Sequence, residues 1–254
     1  MNKNASLQFL SVDGIEIAVR YRQGNKMPGL VWLGGYRSDM MGFKAVAVDA
    51  LAARLGIAAL RHDYSGHGAS QGDFSKGTIS LWLRQSLSIF KHFTRGPQIL
   101  IGSSMGGWIA LRMAEELKKC HIGLAGMVLI APAPDFTNRL LEVKQRQSQR
   151  RKLDAKDSFE IRSEYKTLSY TQALIEDGEN NLVMEGLIDP GCPVHILQGM
   201  QDDIVPYEHT LKLMEYLPLG DVTLTFVKDG DHRLSRSQDI DLLERIIQFF
   251  LTAA

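Results

Sequence analysis

The sequence predicts an α/β protein: a mostly parallel eight-stranded sheet with helices on both faces and an antiparallel edge. Three observations predict it. Short apolar runs bounded by turn residues alternate with stretches of helical spacing from residue 29 onward, the rhythm of right-handed βαβ units. The runs are apolar along their length, as strands covered on both faces are. Two β-type segments around Asp13-Gly14 precede them and read as a hairpin.

Residues 7–10 and 15–21 form that hairpin. Residues 29–33 are a short apolar strand. Residues 43–55 carry apolar side chains at helical spacing and stop at Gly56, a residue suited to a helix C-terminus. A buried strand follows at 57–60, then a helix at 79–93 that Gly96-Pro97 ends. Strand 98–101 runs through a tight turn into helix 105–117, and Pro132 and Pro134 close strand 127–131. Strand 193–197, helix 207–216, strand 222–227 and helix 238–251 complete the chain.

A chain of 254 residues accommodates a single domain, 1–254, with an insertion. The insertion is expected at about 135–189, after the sixth strand, where the rhythm breaks. Its basic cluster of Arg146, Arg150, Arg151 and Lys152 reads as a solvated helix face. The insertion is placed to cap a pocket, with Tyr165, Leu168, Tyr170, Leu174 and Ile175 as its apolar underside.

The most specific stretch is Gly102-Ser103-Ser104-Met105-Gly106, between an apolar strand and a helix. This is the strand-turn-helix context of a G-x-S-x-G nucleophile elbow. The apex residue takes a strained conformation, so its neighbours two positions away must be small, and both are glycine. That spacing selects Ser104 over Ser103 as the nucleophile. Its hydroxyl would stand at a helix N-terminus, where backbone N–H groups stabilise a developing oxyanion.

A serine nucleophile needs a neutral imidazole to take its proton and an acid to orient the imidazole. On sheets of this kind the chain order is nucleophile, acid, histidine. The histidines after Ser104 are His121, His195, His209 and His232. His195 lies in a strand and His209 in the first turn of a helix. His232 lies in a loop directly after a strand, so it is the expected base. Gly199-Met200-Gln201-Asp202-Asp203-Ile204-Val205-Pro206 supplies the acid. Asp202 is favoured there, and Asp203 is its neighbouring alternative. His67 precedes the nucleophile and reads as shaping a Gly-rich turn. One oxyanion donor is expected from Met105 N–H. The other is expected from Tyr36 N–H, in Leu33-Gly34-Gly35-Tyr36-Arg37-Ser38-Asp39, where two glycines permit close approach.

The formal net charge is zero, and no long basic face is implied, which argues against a nucleic-acid partner. No apolar run approaches the length of a membrane span. Met1-Asn2-Lys3-Asn4-Ala5-Ser6 lacks an apolar or Arg-rich targeting pattern, so a cytoplasmic protein is expected. Cys120 and Cys192 show no metal-ligand spacing and read as reduced thiols. No metal and no cofactor are expected. The oligomeric state has no signature in the sequence.

With these motifs the chain resembles the α/β-hydrolase superfamily. Within it, the chain is similar to the branch of mitochondrial palmitoyl-protein thioesterases and mycophenolic acid acyl-glucuronide esterases and its bacterial relatives. The resemblance rests on Gly35-Tyr36-Arg37-Ser38-Asp39-Met40, Asp63-Tyr64-Ser65-Gly66, Gly102-Ser103-Ser104-Met105-Gly106-Gly107-Trp108, the Asp202 loop and Asp231-His232-Arg233. It covers about 30–134 and 192 onward. Tyr207 stands where the branch has Trp, Met105 replaces the more usual Leu, and the insertion matches least. The resemblance implies a serine hydrolase acting on small-molecule or acylated-protein esters or thioesters, and the lack of a transit-like pattern at the N-terminus points to a bacterial member. Two other readings stay open: an acyltransferase or lyase with the same triad, and a binding protein without turnover. Epoxide hydrolases and dehalogenases would want Asp at position 104.

Overall fold

The computed structural model describes residues 5–140, 158–162 and 167–253. The chain opens on the expected hairpin. Strands β1 (Leu7–Val12) and β2 (Ile15–Arg22) pair antiparallel across Asp13 and Gly14. Both turn residues have positive φ, 53° and 79°, as a tight two-residue hairpin connection requires. Strand β3 (Lys26–Leu33), helix α1 (Phe43–Leu55) and strand β4 (Ile57–His62) follow. Gly56 ends α1 at φ 73°, and its N–H returns to the Ala52 carbonyl, the C-terminal closure its position implies. Thr78 caps helix α2 (Ile79–Phe93) by accepting from Leu81 N–H. Strand β5 (Gln98–Ser103) then runs into helix α3 (Met105–Lys119), and strand β6 (Gly126–Ile130) follows.

Between residues 135 and 189 the structure adds elements that the sequence rhythm did not separate. Strands β7 (Ser158–Arg162) and β8 (Thr167–Thr171) form a two-stranded antiparallel pair, and helix α4 (Gln172–Glu179) leads out of it. Their polar and apolar residues alternate strictly, the period-two pattern of a half-buried strand, over runs of only five residues each. Arg146, Arg150, Arg151, Lys152 and Tyr165 lie outside the described residues, as does the side chain of Leu168. Strand β9 (Val194–Gly199), helix α5 (Tyr207–Met214), strand β10 (Val222–Val227) and helix α6 (Ser237–Ala253) close the order.

The eight-stranded sheet has the order β1-β2-β4-β3-β5-β6-β9-β10 among the described residues. β2 runs antiparallel to β4, and every pair from β4 to β10 is parallel. Alternate residues of one strand feed opposite faces. Leu30, Trp32, Ile99, Ile101, Val128 and Ile130 pack with α1 and α6. Val31, Leu33, Leu100, Met127 and Leu129 pack with α2 and α3. From β3 the chain turns to β4 and then crosses back to β5 on the other side of β3. The carboxyl ends of β3 and β5 therefore flank a topological switch point, where open α/β sheets place their ligands.

Candidate active site

Ser104 occupies the turn between β5 and α3 with φ 54° and ψ −119°, a region that residues with side chains enter only under constraint. The constraint is visible in the backbone. Ser104 N–H donates to the Ile130 carbonyl at 2.9 Å, and its own carbonyl accepts from Gly107 and Ala133 N–H at 2.8 and 3.1 Å. A Cβ on Gly102 would stand 2.4 Å from the Gly106 carbonyl oxygen, and one on Gly106 would stand 2.1 Å from that of Leu33. Neither position accepts a side chain without moving main chain. Trp108, one turn on, is fully buried and donates from Nε1 to the Asn181 carbonyl at 2.9 Å. That bond ties the helix behind the serine to the segment just after helix α4.

The structure brings Ser104, His232 and Asp202 together. His232 Nε2 lies 3.1 Å from Ser104 Oγ, and its Nδ1 lies 2.8 Å from Asp202 Oδ2. The His232 side chain is 21% exposed and the Asp202 carboxylate 0%, so the imidazole reaches the cavity while the carboxylate is shielded. Asp202 Oδ1 accepts from Ile204 and Val205 N–H at 2.9 and 2.8 Å, and Oδ2 also accepts from Gln198 Nε2 at 3.2 Å. Asp203 is exposed, at the cavity mouth. The His232 loop is shaped by Asp231, whose Oδ1 accepts from Arg233 and Leu234 N–H. The other histidines point elsewhere. His195 meets Thr225 and Thr223 of β10 at 3.0 and 2.7 Å, buried His209 meets the Pro134 carbonyl at 2.9 Å, and His121 sits exposed in the turn after α3.

The loop after β3 lies over the serine. A Cβ on Gly35 would stand 3.4 Å from Ser104 Cβ, so the backbone entering Tyr36 approaches the Ser104 side chain closely. Met105 is the first residue of α3, where N–H groups lack intrahelical acceptors. The loop is clamped from behind by the turn that follows β4. Tyr64 Oη donates to the Gly34 carbonyl at 3.2 Å, His67 Nε2 accepts from Arg37 N–H at 3.1 Å, and Asp63 Oδ1 accepts from Met40 N–H at 2.6 Å. Arg61 donates to the Met40 carbonyl at 2.7 Å. Asp63 and Gln198 were not singled out as supports in the sequence. The signal for Gln198 was available: it is a polar residue that follows the apolar pair Ile196-Leu197 near the carboxyl end of its strand.

A cavity of about 420 Å³ opens beside Ser104 and His232. Tyr36, Phe136 and Tyr170 form one aromatic wall. Tyr36 stacks on Tyr170 at 5.0 Å and 23°, and Phe136 meets Tyr170 at 5.5 Å. Burial pushes the Tyr36 phenol up to about 12 and raises that of Tyr170, so both rings enter the cavity wall neutral. Lys44 also lines it, and its Nζ donates to the Arg233 carbonyl. Burial lowers this ammonium to about 8 against the opposing pull of Asp231 and Asp239. Among the described residues no three His, Cys, Asp or Glu side chains are grouped to hold a metal ion. No helix among them is long and apolar enough to cross a membrane.

Comparison with known proteins identifies the family of the chain. The alpha/beta hydrolase family matches residues 28–245. The mitochondrial palmitoyl-protein thioesterase ABHD10 of Mus musculus is 34% identical over 244 residues, 95% of this chain and 81% of that protein. A solved structure from Agrobacterium vitis S4 superposes with a TM-score of 0.90 at 50% identity, covering 98% of this chain and 99% of that one. The mouse alpha/beta hydrolase domain-containing protein 10 superposes with a TM-score of 0.86 at 32% identity, again over 98% and 99%.

Proposed function

The chain belongs to the alpha/beta hydrolase family, and from that premise we propose that it is a serine hydrolase that cleaves carboxylic esters or thioesters through an acyl-enzyme. The observation that carries the reading is the continuous chain from Asp202 through His232 to Ser104, at 2.8 and 3.1 Å. These are the separations that let a proton pass from hydroxyl to imidazole.

In this mechanism Ser104 Oγ attacks the acyl carbon while His232 Nε2 takes its proton. Asp202 holds the Nδ1–H tautomer and stabilises the cation that forms. The carbonyl oxygen becomes an oxyanion held by Met105 N–H and Tyr36 N–H. His232 then gives the proton to the departing oxygen or sulfur, leaving the acyl group on Ser104. Water, deprotonated by the same imidazole, releases the carboxylic acid and restores the serine. No metal or cofactor enters these steps.

The proposal extends to the organisation and setting of the chain. Residues 1–254 are read as one domain whose insertion, about 135–189, caps the cavity. Support comes from Phe136 and Tyr170 in the cavity wall. Further support comes from Asp135, whose carboxylate accepts from Val183 and Met184 N–H at 2.9 Å and so ties the two ends of the insertion together. The relatives' names point to acylated substrates, including acylated proteins. The location is read as cytoplasmic, while the curated relatives are mitochondrial, and the unpaired thiols of Cys120 and Cys192 fit a reducing compartment of either kind.

A fluorophosphonate probe tests the reading. It should label the wild type and leave Ser104→Ala unlabelled, and that variant should lose about 10⁶ in turnover. A folded wild type that takes no label would overturn the proposal.

A further inference from the structure

The loop that carries the proposed oxyanion donor is held by a histidine outside the triad. Arg37 has a φ of 57°, a conformation that a residue with a side chain keeps only where its surroundings hold it. Its N–H donates to His67 Nε2 at 3.1 Å, and His67 Nδ1 faces the Ser65 carbonyl at 3.2 Å. An N–H can only donate and a carbonyl can only accept. Nε2 must therefore be bare and Nδ1 must carry the proton, which fixes both the charge and the tautomer of the ring. Its rotation is fixed as well. The ring stands edge-on to Trp82 at 5.1 Å and 81°, to Tyr64 at 5.5 Å and 76°, and to Phe74 at 5.0 Å and 62°. Trp82 Nε1 donates to the same Ser65 carbonyl at 3.2 Å, so the acceptor that sets the tautomer is itself anchored.

We propose that His67 is a positioning residue for the oxyanion loop: its Nε2 lone pair holds the Arg37 N–H, and with it the backbone of Tyr36, so that the Tyr36 N–H is aimed over Ser104 before substrate arrives. Tyr64 and Asp63 fix the loop at Gly34 and Met40. Between those points the turn closes on its own Ser38 N–H to Gly35 carbonyl bond at 3.1 Å, and Arg37 N–H to His67 is the contact that docks this turn against the segment after β4. Donors that need no reorganisation during the reaction contribute most to oxyanion stabilisation. A loop free to leave the left-handed conformation at Arg37 would surrender part of that benefit. The inference rests on the reading of Tyr36 as an oxyanion donor.

The experiment compares His67→Phe and His67→Gln with the wild type on a short-chain p-nitrophenyl ester. Phe keeps the aromatic packing and removes the lone pair; Gln offers a carbonyl oxygen in its place. His67→Phe should lose about 10- to 100-fold in kcat, a part of the ~10²–10³ that a lost oxyanion donor costs, with KM within about twofold. His67→Gln should recover kcat at least partly. Nitrogen-15 NMR of the wild-type imidazoles should show His67 as the neutral Nδ1–H tautomer, a readout independent of turnover that serves if His67→Phe does not fold. An Nε2–H or protonated His67, an unchanged kcat in folded His67→Phe, or a loss in both variants without rescue would each overturn the proposal. A wild type that fluorophosphonate does not label would instead overturn the hydrolase reading, while the tautomer result would still report on the clamp.

Discussion

Gln198 Nε2 donates to Asp202 Oδ2, the same oxygen that meets His232 Nδ1. The Gln198 side chain is fully buried. Its Nε2 also reaches the carbonyls of Gly199 and Val205, and its Oε1 accepts from Thr210 Oγ1 at 2.8 Å. One amide thus holds both the carboxylate and the loop that carries it. Without it, Asp202 would keep its two loop N–H donors but lose the support on the oxygen that faces the base.

Two variants separate charge from support. Asp202→Asn should retain the fold and lose on the order of 10⁴ in kcat, because an amide presents the wrong hydrogen-bonding face to the imidazole. Gln198→Leu should keep a smaller catalytic defect and lose stability by roughly 1–3 kcal/mol, since buried carbonyls and a hydroxyl lose their partner. Steady-state kinetics with urea denaturation of both variants checks this. A Gln198→Leu protein as stable as the wild type would show that the buried amide carries no such role.

Gly106→Ala should reduce both stability and turnover. The added Cβ would stand 2.1 Å from the Leu33 carbonyl oxygen and 2.6 Å from that of Gly34, so the elbow helix and the loop after β3 must part. Overpacking of this kind costs about 1–3 kcal/mol, and the displaced atoms belong to the loop that bears Tyr36. Gly186→Ala is the control, because a Cβ there meets nothing within 4 Å. Thermal midpoints and kcat of the two variants should diverge; matching values would contradict the close approach.

What could be read from the sequence was what depends on neighbours in the chain. Gln98–Ser103 and Met105–Lys119 were legible because an apolar run, a glycine-flanked serine and helical spacing follow one another directly. The preference for Asp202 over Asp203 rests on the G-x-x-D-x-x-V-P pattern of hydrolases of this fold, and in the structure Asp202 folds back on Ile204 and Val205 N–H. The supports were not legible, because they join distant segments. Arg37 and His67 are 30 residues apart, and Asp135 and Met184 are 49 apart. His67 read only as a turn-shaping residue because its partner is a backbone N–H, which leaves no mark on composition. The β7–β8 pair escaped for another reason: strands outside the main sheet lack the long apolar run that marks a buried strand.

Stability should fall on acidification before the carboxylates are titrated. Burial lowers His62 and His209 to about 4, and His67 shifts in the same direction. In the unfolded chain these rings titrate near 6.5. Between those values the unfolded state binds protons that the native state refuses, so the stabilisation is complete above about pH 6.5 and lost as pH falls toward about 4. Each ring contributes a slope of up to about 1.4 kcal/mol per pH unit. Asp63 and Asp135, raised by burial, act in the opposite sense and offset the lower end of the fall. His209→Gln keeps an N–H for the Pro134 carbonyl but cannot titrate. Its urea midpoint should therefore drop less than that of the wild type between pH 7 and pH 5; parallel profiles would show that His209 titrates normally.

Tyr170 should govern which acyl groups are accepted. It reaches the cavity from β8 and stacks on Tyr36 of the loop after β3 at 5.0 Å. Neither Ser104 nor His232 depends on it for a hydrogen bond shown here, so Tyr170→Ala should leave the chemical step largely intact while widening the wall beside it. On a graded panel of p-nitrophenyl esters and acyl-thioesters, the optimum should move to longer or bulkier acyl groups. KM for acyl groups that contact the ring should rise, by up to about tenfold if one aromatic contact of ~0.5–1.5 kcal/mol is lost. Tyr170→Phe keeps the ring and should keep the wild-type optimum. If Tyr170→Ala instead lowers kcat equally for every chain length, the ring supports Tyr36 rather than the acyl group, and the selectivity must lie with the other residues that line the cavity.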